Sequence, residues 1–231
     1  MSSNAFKYRK QESILNMIRL ITYKTGGAIY IPTFIDEETS NSAFNALARV
    51  SNFETKYMNF SGTLIGLPRK ITYFGDKPYS YSGVTHEPKP FNSIIFDIKK
   101  LIVDEKSINT VVTQKSLEKL NTCLVNLYEN ENDSVAFHAD DEKELGPDNK
   151  NNILIASVSF GAERDFVIRT KTILQKQLGE ENTDNFELKI GLKHGSLLIM
   201  YGDFQSRFEH SVPKAKCRKE ARINLTYRVI E

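Results

Sequence analysis

The sequence is poor in the residues that mark several classes of protein. Among 231 residues there are two cysteines, no tryptophan and four histidines. The two cysteines, Cys123 and Cys217, are too few for a disulfide scaffold, which favours a reducing compartment. No apolar run reaches the roughly 18 residues that a transmembrane helix needs, and no apolar stretch follows the charged N-terminal residues. We therefore expect an intracellular protein of the nucleus or cytoplasm, with no membrane span.

Neither sign of charge is in large excess. The 31 Lys and Arg residues nearly balance the 29 Asp and Glu residues, which leaves a formal net charge of +2. This balance argues against a polybasic nucleic-acid binder but is compatible with a localised basic surface. The length and the 40% hydrophobic content fit one domain with a full core better than two small ones. We expect a single domain that acts as a monomer.

The hydrophobic pattern differs between the two halves of the chain. Apolar residues recur at helical spacing in DEETSNSAFNALARV at 36–50 and in FNSIIFDIKKLIVDE at 91–105. The second half contains short strand-like runs separated by turn residues: CLVNLY, ILIASVSF, DFVIRT, FELKI, SLLIM and RINLTYRVI. Polar loops are expected at 146–152 and 179–185. The pattern predicts an α+β fold, an antiparallel sandwich or jelly roll flanked by helices.

One histidine lies next but one to a carboxylate. His138 and Asp140 share a face if the segment FHADDE is extended. A histidine and a carboxylate on one face, joined by a second histidine, form the metal site of non-haem Fe(II) oxygenases. The alternative is a surface histidine beside a solvated acidic turn.

The C-terminal strand alternates polar and apolar residues. Its polar positions are Arg222, Asn224, Thr226 and Arg228. Two guanidinium groups on an inward face suit a dicarboxylate, because arginine binds carboxylates through a planar fork. The alternative is an edge strand with one solvated face.

Two further pairs of residues share a strand face or a turn. Asn126 and Tyr128 lie on one face of NLY, and Tyr79 and Tyr81 flank Ser80 in PYSYSG. Tyr128 could close a barrel rim. The pair of tyrosines could stack on nucleic-acid bases or form a structural turn.

Seven motifs in order resemble the AlkB family of 2-oxoglutarate and Fe(II)-dependent nucleic-acid dioxygenases, especially the eukaryotic-type members that repair alkylated DNA and RNA. They are PRK, YFGDKPYSYSG, NLYENENDSVAFHADDE, ASVSFGAERDF, HGSLLIM, EHSVP and ARINLTYR. The similarity runs from Leu67 to Ile230, roughly seven tenths of the chain. The resemblance implies a double-stranded β-helix, or jelly-roll, core flanked by N-terminal helices.

The resemblance also implies roles for individual residues. The metal ligands and catalytic residues would be His138, Asp140 and His210. The co-substrate 2-oxoglutarate would be bound by Asn126, Tyr128, Arg222, Asn224, Thr226 and Arg228, with Arg228 on the far carboxylate. The methylated base would contact Tyr79, Tyr81, Ser82, Asp141 and Glu142. His194 would be a turn residue, and His86 has no assigned role.

The implied reaction is oxidative demethylation with Fe(II), 2-oxoglutarate and O2. An N-methyl group of the 1-methyladenine or 3-methylcytosine type would be hydroxylated and lost as formaldehyde, with release of succinate and CO2. Segment 138–144 carries a net charge of −3 and segment 214–222 one of +4. We therefore expect an acidic pocket for a cationic base and a basic rim for phosphates that includes Arg69 and Lys70.

The expected partner is alkylated DNA or RNA. Duplex-repairing relatives carry a bulky apolar residue before a glycine where this chain has Ser61 before Gly62, so single strands are modestly favoured. An alternative is a related oxygenase that hydroxylates a protein, lipid or small molecule. The expected organisation is an N-terminal extension at 1–60, a nucleotide-recognition region at 61–120 and the jelly-roll core at 121–231.

Overall fold

The computed structural model describes residues 17–60, 62–81, 84–142, 145, 152–171 and 186–231. Most of these residues lie in antiparallel strands. The first strands are β1 (Ile18–Tyr23), β2 (Gly26–Ile31), β3 (Glu54–Phe60), β4 (Thr63–Gly75), β5 (Tyr79–Tyr81), β6 (Val84–His86) and β7 (Thr122–Tyr128). The later strands are β8 (Val135–His138), β9 (Ile155–Gly161), β10 (Arg164–Thr170), β11 (Glu187–Leu192), β12 (Ser196–Gly202), β13 (Phe208–Val212) and β14 (Arg222–Arg228).

The strands form two main sheets and a hairpin. The larger sheet has the order β1-β2-β12-β9-β14-β7-β4-β3, the smaller has the order β11-β10-β13-β8, and β5 pairs with β6. Two sheets whose sequence neighbours lie apart in space are typical of a jelly roll. The predicted α+β jelly roll with flanking helices is therefore confirmed. Strands β2 and β4, from the predicted N-terminal regions, lie in the larger sheet beside core strands, and the proposed three-way division of the domain stays a prediction.

Four helices accompany the sheets in the described residues: α1 (Glu37–Val50), α2 (Ser93–Val103), α3 (Gln114–Glu118) and α4 (Phe204–Arg207), with a 3₁₀ turn at Lys106–Thr110. Both predicted amphipathic helices are present. The side chain of Asp36 caps α1 and that of Asn92 caps α2 by accepting the backbone N–H three residues on. Among the described residues, no helix is both long and apolar enough to cross a membrane.

The larger sheet separates two hydrophobic clusters. One lies between the sheet and the helices and includes Leu47, Ile98, Val125, Leu225 and Tyr227. The other lies between the two sheets. Because side chains alternate along a strand, β14 contributes its odd-numbered residues to the first cluster and turns its even-numbered residues toward the smaller sheet. The predicted loop at 179–185, and all but the last residue of that at 146–152, lie outside the described residues.

The two cysteines differ in exposure, and this difference gives a test of the fold. Cys123 is fully buried in β7, whereas Cys217 is exposed. Burial raises the pKa of the Cys123 thiol, and only the thiolate reacts readily. We expect a thiol reagent to modify Cys217 alone in the native protein and both cysteines in denaturant, as measured by mass spectrometry. Rapid native labelling of Cys123 would contradict this arrangement of β7.

Candidate metal and co-substrate site

Strand β14 lies at the centre of the larger sheet, between β7 and β9. All seven of its residues are buried, so the alternative of an edge strand with a solvated face is wrong. Asn224, Thr226 and Arg228 line a cavity between the two sheets. The sequence alternation thus reflects one face against the helices and one polar face inside the barrel.

Neighbouring strands extend this polar face. Asn126 of β7 lies opposite Asn224, and Ser157 of β9 lies opposite Thr226. The Asn224 amide donates to Ser157 Oγ at 2.8 Å and to the Val158 carbonyl at 3.0 Å, and it accepts from Thr226 Oγ1 at 3.1 Å. These bonds satisfy most of the buried polar groups and fix their orientation.

Three potential metal ligands meet at this cavity. His138 ends β8 and lies directly opposite His210 of β13, while Asp140 follows β8. His138 Nε2 lies 3.6 Å from Asp140 Oδ1, and His210 Nε2 lies 4.0 Å from Asp140 Oδ2. One ligand atom from each residue lies within 4.8 Å of the others. Two imidazoles and a carboxylate in this arrangement match the facial triad of non-haem Fe(II) sites.

The surroundings of the triad favour the protonation states that a metal requires. Burial disfavours a charged Asp140, but the Arg228 guanidinium opposes this effect and holds the pKa of the carboxyl below its usual range. Burial and the nearby His138 lower the pKa of His210 to about 3. His138 Nδ1 lies 2.9 Å from the Ala136 carbonyl; if Nδ1 donates there, Nε2 is left as the ligand atom. An anionic carboxylate and neutral imidazoles are the forms that bind metal.

The two arginines of β14 occupy opposite ends of the strand. Arg228 Nη2 donates to Asp140 Oδ1 at 3.0 Å, which places this guanidinium at the metal end. Arg222 lies six residues away, or roughly 20 Å along an extended strand. The resemblance assigned the far carboxylate of the co-substrate to Arg228. This assignment is corrected, because Arg228 contacts a metal ligand and Arg222 lies at the end remote from it.

Arg222 is buried beside an aromatic ring. Its guanidinium lies 4.9 Å from the centre of the Tyr128 ring, which also has Arg164 at 5.6 Å. Nη2 donates to Ser159 Oγ at 2.9 Å, and the guanidinium also has a side-chain hydrogen bond with Tyr128, while Nε and Nη1 have no well-aligned acceptor among the described residues. Burial lowers the pKa of Arg222, and the nearby Tyr128 opposes that shift. A buried guanidinium with spare donors is suited to an anionic partner.

Arg69 does not lie on an exposed rim. It is 6% exposed, lines the cavity, and donates from Nε to Asn126 Oδ1 at 2.8 Å. Alternation along β4 turns Arg69 inward with Leu67 and Ile71, whereas Lys70 reaches Glu129 at 2.8 Å. The predicted position of Arg69 on an exposed phosphate-binding rim is therefore wrong, because its side chain is buried in the cavity and bonded to Asn126.

The basic segment 214–222 also differs from its predicted place. It enters β14 beside Tyr128 and Gly161, whereas Asp140 contacts Arg228 at the other end of that strand. Its last residue, Arg222, is buried, and the Ala215 N–H is bound by the Glu131 carbonyl. Lys214, Lys216 and Arg218 are exposed, but they flank the end of the barrel remote from the metal ligands.

The predicted base pocket is described in part. Tyr79 and Tyr81 lie on β5, paired with His86 and Val84 of β6, and Ser82 lies outside the described residues. Asp141 directly follows the metal ligand Asp140, and its half-exposed carboxylate forms an ion pair with Lys171 at 2.8 Å.

Glu142 is half-buried, and its carbonyl accepts the Leu145 N–H. Neither Asp141 nor Glu142 is among the described residues that line the cavity. Their predicted contact with the base stays a prediction.

The two remaining histidines lie away from the triad. His194 is in the turn before β12, as expected, and its Nδ1 accepts the Gly161 N–H at 2.8 Å. His86 ends β6, is 3% exposed, and its ring centre lies 6.1 Å from that of Tyr73. Burial and the charges of Lys56, Arg69 and Arg228 lower the pKa of His86 to about 4. His86 is therefore a buried, neutral ring that packs beside Tyr73 at the end of β6.

Several residues of the site carried no recognisable signal in the sequence. Phe166 of β10 stacks on His210 with ring centres 5.1 Å apart, and Met200 of β12 lines the cavity. Both belong to ordinary apolar runs, so only the pairing of strands reveals that they face the metal ligands. Ser157 and Ser159 could have been suspected from their alternation with apolar residues in ASVSF.

Comparisons with known proteins agree with this geometry. The family model of the 2OG-Fe(II) oxygenase superfamily matches residues 27–228. Alpha-ketoglutarate-dependent dioxygenase alkB homolog 3 is 36% identical in Bos taurus, over 86% of this chain and 64% of the relative, and 40% identical in Homo sapiens, over 71% and 52%. DNA oxidative demethylase ALKBH2 of Mus musculus is 34% identical over 80% of this chain and 68% of its own.

A solved structure of OsALKBH1 shares the fold. It superposes with a TM-score of 0.59 at 19% identity and covers 90% of this chain and 99% of its own. The arrangement of strands and ligands defines a non-haem iron oxygenase of the jelly-roll type. This chain belongs to the 2OG-Fe(II) oxygenase superfamily and, within it, to the AlkB family. The chain spans between about half and two thirds of the length of the curated alkB homolog 3 relatives it matches.

The residues present fit the cofactor and co-substrate of this family. A buried set of two imidazoles and one carboxylate suits Fe(II) and leaves coordination positions open. Arg222 does not itself line the cavity, but its buried donors lie beside Tyr128, which does. The predicted use of Fe(II), 2-oxoglutarate and O2 is therefore supported by the family and by the donor set of the cavity.

Proposed function

We propose that this protein is an oxidative demethylase that removes N-methyl lesions of the 1-methyladenine or 3-methylcytosine type from DNA or RNA. The observation that carries the proposal is the position of His138, Asp140 and His210 at one end of a buried, arginine-containing strand face. Relatives named alkB homolog 3 and DNA oxidative demethylase ALKBH2 support the substrate class.

Bound Fe(II), with 2-oxoglutarate and O2, would supply the oxidising power for hydroxylation of a methyl group. In the net reaction, an N-methyl group, 2-oxoglutarate and O2 give the unmodified N–H, formaldehyde, succinate and CO2. The methyl carbon and the co-substrate are oxidised, and O2 is reduced. No protein nucleophile is needed, so the side chains act by binding and orientation.

The co-substrate would extend along the polar face of β14. Arg222 would bind the far carboxylate through the Nε and Nη1 donors that lack an acceptor in the described residues, with Tyr128 beside it. Asn126, Asn224 and Thr226 would line the path toward the metal, and Arg228 would hold Asp140 in place. Asn126, Asn224 and Thr226 are already held by hydrogen bonds within the protein, so little reorganisation is needed on binding.

The methylated base would be bound near the β5–β6 hairpin. Tyr79 and Tyr81 on β5 supply aromatic rings, and a base that is cationic because of its methyl group favours aromatic and acidic surroundings. Asp141 and Glu142 adjoin the metal ligand Asp140 in sequence and would supply the negative charge. Ser82 would complete the pocket.

The proposed substrate is single-stranded DNA or RNA, bound by a monomer inside the cell. An extruded base must first be unstacked and unpaired, and a single strand avoids most of that cost. Between the residues of β3 and β4 the sequence has Ser61 and Gly62 in place of a bulky apolar probe. Both cysteines are free, which suits a reducing compartment.

The test compares demethylation of one lesion in a single strand, in a duplex and in the free nucleoside. The protein is reconstituted anaerobically with Fe(II) and 2-oxoglutarate and given a 1-methyladenine oligonucleotide, as a single strand or duplex, before oxygen is admitted. We expect mass spectrometry to show loss of the methyl group, with formaldehyde and succinate in equal amounts, and faster repair of the single strand.

The matched control is the free methylated nucleoside, which should react far more slowly if the chain binds a strand. Succinate without demethylation of any context would contradict the substrate class and leave a related hydroxylase. Faster repair of the duplex would contradict the single-strand preference alone.

A further inference from the structure

The short helix α4 lies directly before β13, which carries the metal ligand His210. Gln205 of this helix is fully buried. A buried amide side chain carries two donors and an acceptor that must be satisfied inside the protein. Its partners therefore indicate what the residue does.

The acceptor of Gln205 binds a metal ligand. Its Oε1 accepts the backbone N–H of Asp140 at 3.0 Å. Asp140 lies two positions beyond the end of β8, where pairing with a neighbouring strand no longer provides an acceptor for its backbone N–H. His138 and His210 are held by the pairing of β8 with β13, so Asp140 is the one member of the triad outside a strand.

The donor side of Gln205 and the helix itself are also anchored. Nε2 lies 3.6 Å from Met200 Sδ in β12. Asp203, before α4, accepts from Thr25 Oγ1 at 2.8 Å and from Arg207 Nε at 2.8 Å. The Lys171 N–H donates to the Arg207 carbonyl at 2.9 Å. The helix is therefore hydrogen-bonded to Thr25, which lies between β1 and β2, and to Lys171, which follows β10. These bonds fix the position of Gln205.

We propose that Gln205 is a positioning residue of the metal centre, which sets the backbone orientation of Asp140 so that its carboxylate faces both histidines. Arg228 holds one carboxylate oxygen, but a bond to the side chain alone leaves the Asp140 backbone able to rotate. The bond from Gln205 removes that freedom. Residues that orient metal ligands in this way strengthen metal binding, and their loss commonly weakens it by about 10- to 100-fold.

The experiment measures Mn(II) binding to the metal-free protein by electron paramagnetic resonance of the unbound ion. Gln205→Met keeps the side-chain length and removes the acceptor, and Gln205→Asn keeps the amide but is one methylene too short to reach Asp140. Both should raise the Mn(II) Kd by about 10- to 100-fold. Gln205→Glu retains an acceptor oxygen and should bind Mn(II) more tightly than either.

The matched control is Phe204→Leu, a change at a fully buried neighbour on the same helix. It should lower the melting temperature of the metal-free protein but leave the Mn(II) Kd within about twofold of the parent value. The inference is overturned if Gln205→Met and Gln205→Asn bind Mn(II) like the parent, or if Phe204→Leu weakens binding as much as they do. If Gln205→Met fails to fold, Gln205→Asn decides.

This inference rests on the metal centre and not on the proposed substrate. Mn(II) binding is measured without 2-oxoglutarate or nucleic acid. A parent protein that binds Mn(II) but leaves methylated oligonucleotides unchanged would contradict the proposed function and leave the role of Gln205 intact.

Discussion

Replacing Asp140 with asparagine is expected to abolish succinate formation and to weaken Fe(II) binding more than any other single change in the triad. Asp140 is the only anionic ligand, and it is 1% exposed, so the metal charge would be left without a compensating carboxylate. The change also leaves the buried Arg228 without its counter-charge. Removing one partner of a buried pair commonly costs about 3–5 kcal/mol; because asparagine keeps an acceptor oxygen, we expect a destabilisation toward the lower value.

The measurement pairs metal content with the free energy of unfolding in the metal-free state. Asp165→Asn is the matched control, since Asp165 lies on the smaller sheet in an exposed pair with Lys189 at 2.7 Å. An exposed pair contributes about 0–1 kcal/mol, so this variant should retain iron, succinate formation and stability. Normal iron retention by Asp140→Asn would show that the triad is not the metal site.

The second large effect is expected from Arg222→Leu, which should raise the KM for 2-oxoglutarate by about 10- to 100-fold. Hydrogen bonds to charged groups contribute about 1.5–3 kcal/mol, and each 1.4 kcal/mol is about tenfold in affinity. Arg222→Lys should restore little, because an ammonium group does not reproduce the planar fork. The measurement is succinate formation as a function of 2-oxoglutarate concentration at saturating Fe(II).

A second co-substrate separates the role of Arg222 from a general loss of structure. In 2-oxopentanoate a methyl group replaces the far carboxylate. The parent should prefer 2-oxoglutarate strongly, and Arg222→Leu should lose most of that preference, as in a double-mutant cycle. Arg169→Leu changes a half-buried arginine of β10 that pairs with Glu209 and stacks on Phe137 and should keep the parent preference. If Arg222→Leu keeps the preference for 2-oxoglutarate and Arg228→Leu loses it, the far carboxylate binds Arg228, as the sequence predicted.

Much of the fold followed from periodicity, and the exceptions have physical causes. Helices α1 and α2 have clear apolar faces, and the six strand-like runs of the second half are all strands. The sequence did not indicate β2, which begins with Gly26 and Gly27 and reads as a turn. The glycines are needed there because a Cβ on Gly27 would lie 2.3 Å from the Ile21 carbonyl oxygen. The β3–β4 hairpin was also missed. Leu64 is apolar but 69% exposed, so the apolar residues there do not mark one buried face as the expected alternation requires.

The site was less predictable than the fold. The resemblance assigned the triad and the polar face of β14 by residue type, and the structure brings these residues together. It placed Arg228 at the far carboxylate and away from the metal, because both arginines occupy the same face and only the approach of Asp140 distinguishes them. Arg69 was expected on a basic rim for phosphates together with Lys70, and its inward turn depends on the register of β4 against β7. The role of Gln205 could not be predicted, because it depends on a contact with Asp140, 65 residues away in the sequence.

The two faces of β14 have different roles: one packs in the hydrophobic core and the other faces the cavity. Ile223, Leu225 and Tyr227 pack against the helices, so substitutions there should alter how tightly the domain holds together and leave catalysis unchanged. The even-numbered Asn224, Thr226 and Arg228 line the cavity, so substitutions there should show the reverse response. A lineage could therefore change its thermal tolerance at one set of positions and its choice of 2-oxo acid at the other, within seven consecutive residues.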